Sequence, residues 1–246
     1  MARAVYLLFG ILAYLVFFAT FLYLVAFVGD LPWVPRTVDR GPEAALPAAI
    51  AIDLGLIALF GLQHSVMARK GFKAAWTRIV PQPVERSFYV LFASLALILL
   101  ALFWRPIPLE VWAIANPAAV YAMWGLFGLG WLIVLISTFL INHFELFGLH
   151  QVWAHARRQE LPAPTFRTPF FYRSVRHPIY AGFVLAFFAT PQMTAGHLLL
   201  AAGMTVYILI AIRYEERDLV GLFGERYERY RGEAGMLTPR FRRRGT

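Results

Sequence analysis

Residues 176–217 read RHPIYAGFVLAFFATPQMTAGHLLLAAGMTVYILIAIRYEER. Two polar clusters, Arg176-His177-Pro178 and Arg213 to Arg217, bracket an interval from Phe183 to Ile212 that is almost wholly apolar. Pro191 divides it. The piece before it, 178–190, has 13 residues. At about 1.5 Å rise per residue such a helix falls short of a hydrocarbon core of roughly 30 Å. Gln192-Met193-Thr194 then turns the chain, and 195–213 returns as a full span. The expectation is a helical hairpin with a short first arm and both polar ends at one face of a bilayer. Paired polar collars of this kind suit a polar cofactor whose reactive end points into lipid.

The rest of the chain agrees with a membrane setting. Of 246 residues, 60% are hydrophobic, more than the half or so found in soluble domains. Apolar runs predict spans over about 4–29, 47–68, 87–104 and 117–141, besides the hairpin. The first run is longer than the core of a signal peptide and lacks an A-x-A step, so it reads as a retained span. The fold class expected is therefore all-α: an integral membrane helical bundle of five full-length spans plus the short 178–190 helix. One transmembrane domain covers 1–246, with a cofactor-binding region at about 142–239. The polar segment 151–175 carries Pro162, Pro164 and Pro169, which prevent a long helix, and is placed at the membrane surface.

Charge sets the orientation. With the N-terminus inside, segments 1–3, 69–86, 142–177 and 213–246 hold 20 of the 23 lysines and arginines. Arg36, Arg40 and Arg105 alone fall outside. The positive-inside rule thus puts both termini, both polar collars, His64 and Asn142-His143 on the cytoplasmic side. The net charge of +9 points to topology and anionic lipid rather than to nucleic acid, and the basic end, Arg240 to Arg244, to headgroup contact. With no cysteine there is no disulfide, thiolate ligand or cysteine nucleophile.

Several side chains can carry chemistry. Pro178 suits the first position of a helix, whose N-terminus attracts anionic groups such as a carboxylate. Arg176 can grip a carboxylate in a fork, and Gly182, one turn on, lets a ligand approach the backbone. The plainer alternative is an interfacial arginine snorkelling beside a helix start. Glu215 and Glu216 point about 100° apart on a helix. Glu216 is expected to pair with Arg213 three residues back, leaving Glu215 freer for ribose hydroxyls or an ammonium; a solvated charged helix end is the alternative. Asp53 lies inside a span near one end, either functional or solvated at the interface. His197 is expected at the outer interface. The six histidines form no metal-ligand set, so no metal is expected.

Taken together, Arg176-His177-Pro178-x-Tyr180-x-Gly182, Glu215-Glu216 and Phe223-Gly224-x-x-Tyr227-x-x-Tyr230 resemble the isoprenylcysteine carboxyl methyltransferase superfamily. Its members are membrane enzymes that use S-adenosylmethionine, and the shared pattern covers about 166–239. Upstream, Gln63-His64-Ser65-x-Met67-Ala68-Arg69 and Asn142-His143-Phe144-Glu145-Leu146-Phe147-Gly148-Leu149 look like its methanethiol S-methyltransferase branch, which makes dimethyl sulfide in bacteria. NnrU-like proteins share part of that upstream motif. The resemblance implies a cofactor pocket lined by Arg176, His177, Pro178, Tyr180, Gly182, Glu215 and Glu216, with Phe166 and Tyr172 as neighbours. A Leu-Val-Thr-x-Gly-x-Tyr run common in the prenylcysteine enzymes is here Phe166-Arg167-Thr168-Pro169-Phe170-Phe171-Tyr172, so the adenine-side contacts depart from that pattern.

The same resemblance implies methyl transfer from a sulfonium to a small volatile thiol in the bacterial inner membrane. An alkyl thiol is mostly protonated at neutral pH, so a positioned base or cation helps. His64, His143 and Glu145 are the candidate bases, and Asn142 a candidate for orienting the thiol. Hydrogen bonding between helices is the alternative role for all four. The rival functions are a prenylcysteine carboxyl methyltransferase, a phospholipid methyltransferase and a non-catalytic NnrU-like membrane protein.

Overall fold

Lipid offers the backbone no hydrogen-bonding partner, so each apolar run closes its own bonds as a helix. A computed structural model of the protein describes residues 1–163 and 165–240. Pro164 and the basic residues Arg242 to Arg244 lie outside the described residues. Among the described residues five helices are long and apolar enough to cross a membrane: α1 Ala2–Val28, α2 Leu46–Ala68, α4 Gln82–Phe103, α5 Pro117–Ile141 and α9 Ala195–Phe223. The shorter apolar helix α8, Pro178–Phe188, follows the His-Pro junction as expected. Between them lie α3 Lys70–Trp76, the helical turn α6 His143–Leu146, α7 Leu149–Arg157 and, after α9, α10 Glu225–Glu233. The protein is an all-α helical membrane bundle.

The start of one helix differs from expectation, for a local reason. Helix α4 starts at Gln82, just after Pro81, so Glu85 and Arg86 form its polar first turn rather than a loop. Helix α9 instead agrees with a charged tail that carries the last helix outwards: it runs on through the Arg213–Arg217 cluster to Phe223, ahead of Gly224 at φ 55°. Gln192–Thr194 does more than turn the chain. It forms β2, antiparallel to β1 Glu110–Ala113, with Glu110 opposite Thr194 and Ala113 opposite Gln192. Sequence patterning gave no sign of so short a ribbon.

The chain sorts into two compact units. The first holds Met1–Ala113, His143–Ala163 and Gln192–Gly203; the second holds Ile114–Asn142, Pro164–Pro191 and the chain from Met204 onward. In the first, α1 and α2 both pack on α4, and α7 lies along the first turns of α1. Gly148, at φ 89°, leads into α7 at a spot where an added Cβ would meet the Ser87 hydroxyl at 2.9 Å. At the other end of α4, the fully buried Trp104 donates its indole N–H to the Val38 carbonyl at 3.0 Å. Asp53 is wholly buried and accepts the Arg105 backbone N–H at 2.9 Å, so it is not a solvated interfacial carboxylate. His197, in the first turn of α9, is likewise buried, with its backbone N–H bonded to the Thr194 hydroxyl.

In the second unit α5 and α8 are in close contact. A Cβ on Gly130 would meet the Gly182 carbonyl at 2.8 Å, and one on Gly182 would meet the Gly130 carbonyl at 2.6 Å. Small residues permit this approach, the usual basis of helix association in lipid. Gly182 therefore serves helix–helix packing: the space expected to admit a ligand is filled by α5.

Candidate active site

In the second unit the chain reaches α8 through a short 3-10 turn, Phe170–Arg173, and His177 is the residue before the helix proper. Pro178 sits at the first helical position, where its missing N–H costs nothing. No side chain caps the first N–H groups of α8. The preceding backbone is pinned by the chain's far end: Arg176 N–H donates to Gly235 O at 2.8 Å, His177 N–H to Met236 O at 3.1 Å, and Gly235 N–H to Ser174 O at 2.9 Å.

Side chains repeat that pinning. Glu216, on α9, is buried yet surrounded by donors. Arg176 Nε donates to its Oε1 at 2.7 Å, His177 Nε2 lies 3.1 Å from the same oxygen, and Arg231 Nε is 3.3 Å from Oε2. Arg176 Nη1 also donates to the carbonyls of Ala234 and Arg231 at 2.6 and 3.1 Å. The partner of Glu216 is thus not Arg213 three residues back but the His-Pro junction and α10. A buried carboxylate is tolerable only with such pairing.

Glu215 faces the same imidazole from its other side, its Oε2 3.8 Å from His177 Nδ1. Adjacent positions on α9 do not prevent this, because the ring lies between the two carboxylates. Glu215 is 43% exposed and also accepts the Tyr180 hydroxyl at 2.9 Å. The Tyr180 ring stacks on His177, centroids 5.6 Å apart. Glu216 is saturated by protein donors, whereas Glu215 keeps an open side.

Phe166 and Tyr172 belong to an aromatic cluster in this unit. Phe166 lies 5.3 Å from Phe223, 5.9 Å from Tyr227 and 5.4 Å from Tyr230. The Arg226 guanidinium covers its ring at 5.1 Å. The Tyr230 hydroxyl donates to the Tyr172 carbonyl at 2.5 Å. Burial, then the Glu215 charge and Tyr230, hold the Tyr172 hydroxyl far above its ordinary range. Tyr230 is pushed up to about 12 by burial, with Arg176 opposing the rise. Both therefore stay protonated at neutral pH and serve as donors.

The candidate bases lie in the first unit, each histidine tied to a tyrosine. His64 Nε2 is 2.8 Å from the Tyr89 hydroxyl, and its ring stacks on Phe60. The Arg86 guanidinium lies 4.8 Å over the Tyr89 ring, and Arg86 Nε donates to Leu146 O, which fixes α6 against α4. His143, buried in α6, has Nε2 2.8 Å from the Tyr14 hydroxyl of α1. The rings of Phe144 and Phe147 surround it at 5.4 and 4.9 Å. Burial lowers its pKa below the ordinary imidazole value, so it is neutral at pH 7. Phe147 also packs against the Met67–Tyr89–Val90 cluster, so both pairs border one apolar region. Glu145 points elsewhere, half-exposed and 3.8 Å from His150 Nδ1. Asn142 closes the first segment of the second unit, its backbone N–H bonded to Thr138 O at the end of α5.

Sequence reading did not single out Tyr14, Tyr89, Arg231 or the backbone of Gly235. Tyr14 and Tyr89 sit in apolar runs where an aromatic residue looks like packing. Arg231 sits in a tail where a basic residue looks like solvent contact.

Known proteins resemble this chain along almost its full length. It is 53% identical over 232 residues to methanethiol S-methyltransferase 1 of Bradyrhizobium diazoefficiens, covering 94% of this chain and 81% of that protein. It is 52% identical over 239 residues to the methanethiol S-methyltransferase of Mycobacterium tuberculosis, covering 97% and 98%. More distantly, human nurim is 31% identical over 198 residues, covering 76% of this chain and 72% of that protein. No family model matches, and no solved structure does. Identity near one half across nearly whole chains leaves one conclusion: this membrane protein belongs to the methanethiol S-methyltransferase family.

Proposed function

We propose that this protein methylates methanethiol to dimethyl sulfide with S-adenosylmethionine, at the cytoplasmic face of the bacterial inner membrane. The observation that carries the reading is the polarised pair on α9. Glu216 is consumed by Arg176, His177 and Arg231, while Glu215 stays partly open beside the Tyr180 hydroxyl and the uncapped start of α8. The residues fit a zwitterionic nucleoside. Glu215 accepts ribose hydroxyls or an ammonium, the N-terminal amides of α8 receive a carboxylate, and Tyr172 with Phe166 borders the adenine side. His177 and Pro178 set the angle of that helix start, and Arg176 locks it to α10.

S-adenosylmethionine supplies a methyl group on a sulfonium, and its transfer to a thiolate neutralises opposite charges. The chain's contribution is to bind the donor, exclude water and help remove the thiol proton. His143, His64, Glu145 and Asn142 are proposed for the acceptor side, with His143 foremost because its imidazole is neutral and so free to take a proton. The 20-to-3 asymmetry of basic residues supports cytoplasmic termini. The test is a panel assay of purified protein with labelled S-adenosylmethionine. Methanethiol, a prenylcysteine and phosphatidylethanolamine are offered separately. Label is expected in the thiol product alone; label in a prenylcysteine ester or a lipid amine would replace this reading.

A further inference from the structure

A buried imidazole is poorly placed to meet a substrate, and His143 is only 4% exposed. The group bound to its Nε2, the Tyr14 hydroxyl 2.8 Å away, belongs to a half-buried residue. Tyr14 is therefore the more exposed residue of the pair. Its surroundings suit a small apolar thiol. The Tyr14 ring stacks with Phe18 at 6.3 Å and meets Phe144 and Phe147, each at 6.4 Å. Sulfur packs favourably on aromatic edges. A tyrosine with an ordinary role in a lipid-facing helix would snorkel to the interface; this one is bonded to a buried ring 129 residues away in sequence.

We propose that Tyr14 is a catalytic residue that relays the thiol proton to His143, an inference resting on the thiol-methylation reading above. The S–H bond breaks as its proton passes to the Tyr14 oxygen, and the phenol's own proton passes to His143 Nε2. The sulfur forms its bond to the methyl carbon as the sulfonium carbon–sulfur bond breaks. The imidazolium then returns its proton through the phenol to water. Nothing is oxidised or reduced. Ionisable groups on the surrounding elements include Arg86 of α4, which bonds the Leu146 carbonyl, Glu145 and His150, which pair with one another, and His155, which packs on Tyr6 of α1. A neutral histidine can act as the terminal acceptor near physiological pH.

The test is Tyr14→Phe in the full chain, which keeps the ring and removes one oxygen. Binding of labelled S-adenosylmethionine reports that the variant is folded. The expected result is unchanged donor binding with kcat for methanethiol at pH 7 at least tenfold lower. The loss should shrink at pH 10 and be nearly absent with thiophenol, an acceptor already ionised at neutral pH. An equal loss for both thiols, or none for either, would overturn the relay. If wild-type protein methylates neither thiol, the functional reading itself fails, which is a different outcome. As a second measurement, nitrogen-15 NMR of labelled histidine should show a single neutral tautomer for His143 in the wild type and a mixture in Tyr14→Phe. An unchanged spectrum would count against the bond.

Discussion

Around the candidate site residues the two units handle polar groups in opposite ways. The second concentrates charge: one buried carboxylate, Glu216, takes two guanidinium groups and an imidazole, and the backbone of Gly235 and Met236 closes over the junction. The first uses neutral pairs, His64–Tyr89 and His143–Tyr14, among phenylalanines. Charge networks are strong and intolerant of losing a member, because the remainder is left buried and unpaired. Neutral pairs cost less to break than buried charges, about 1–3 kcal/mol, and fix where a proton sits. The contrast teaches that variants in the second unit should act on binding and folding, and variants in the first on rate and pH dependence.

The largest effect should come from Glu216→Ala. It strands Arg176 and His177 and frees Arg231, a loss of about 3–5 kcal/mol by analogy with broken buried pairs. Donor binding should be abolished and thermal stability in detergent should drop; calorimetry and a melting curve measure both. Wild-type behaviour would erase the contrast.

Gly182→Leu should come next. Its side chain would enter the Gly130 carbonyl, and overpacking of that kind costs about 1–3 kcal/mol. Glu215→Gln is the sharper probe, because it leaves the pinning of Glu216 intact. Titration calorimetry should show S-adenosylmethionine binding weakened at least about tenfold, as when a charge-assisted hydrogen bond of about 1.5–3 kcal/mol is lost, at unchanged stability.

Much of this was legible before any coordinates. The spans, the short arm 178–190 and the gathering of Arg176, His177, Tyr180, Glu215 and Glu216 follow from apolar run length and from polar residues at its ends. What sequence could not supply was partner choice. Three-residue spacing nominated Arg213 for Glu216, but a helix running on to Phe223 and a returning α10 bring Arg231 and Arg176 instead. Spacing within one helix says nothing of a residue 40 positions away. Gly182 looked like room for a ligand for the same reason: a missing Cβ marks a close approach without saying what approaches. Tyr14 and Tyr89 were hidden by their apolar surroundings.

On stability and donor binding the smallest effects should be in the first unit, whose variants act on rate and its pH dependence. Burial holds the His143 pKa below its ordinary value near 6.5. Its contribution to stability is present above that value and is lost as pH falls through the folded value, because the unfolded chain takes up the proton first. His143→Gln should therefore remove part of the acid-side loss in melting temperature. It should also lower kcat at pH 7 by about a hundredfold, the lower end of the range for general base catalysis, with donor affinity kept. Equal loss of rate and binding would place His143 with the charge network instead.

The central claim is methyl transfer from S-adenosylmethionine to methanethiol. Its most direct test supplies purified protein with donor carrying a trideuterated methyl group and with unlabelled methanethiol, and reads the headspace by mass spectrometry. The account predicts dimethyl sulfide three mass units heavier, formed by the wild type and strongly reduced in Glu215→Gln. Absence of that product from folded wild-type protein that binds the donor would contradict it.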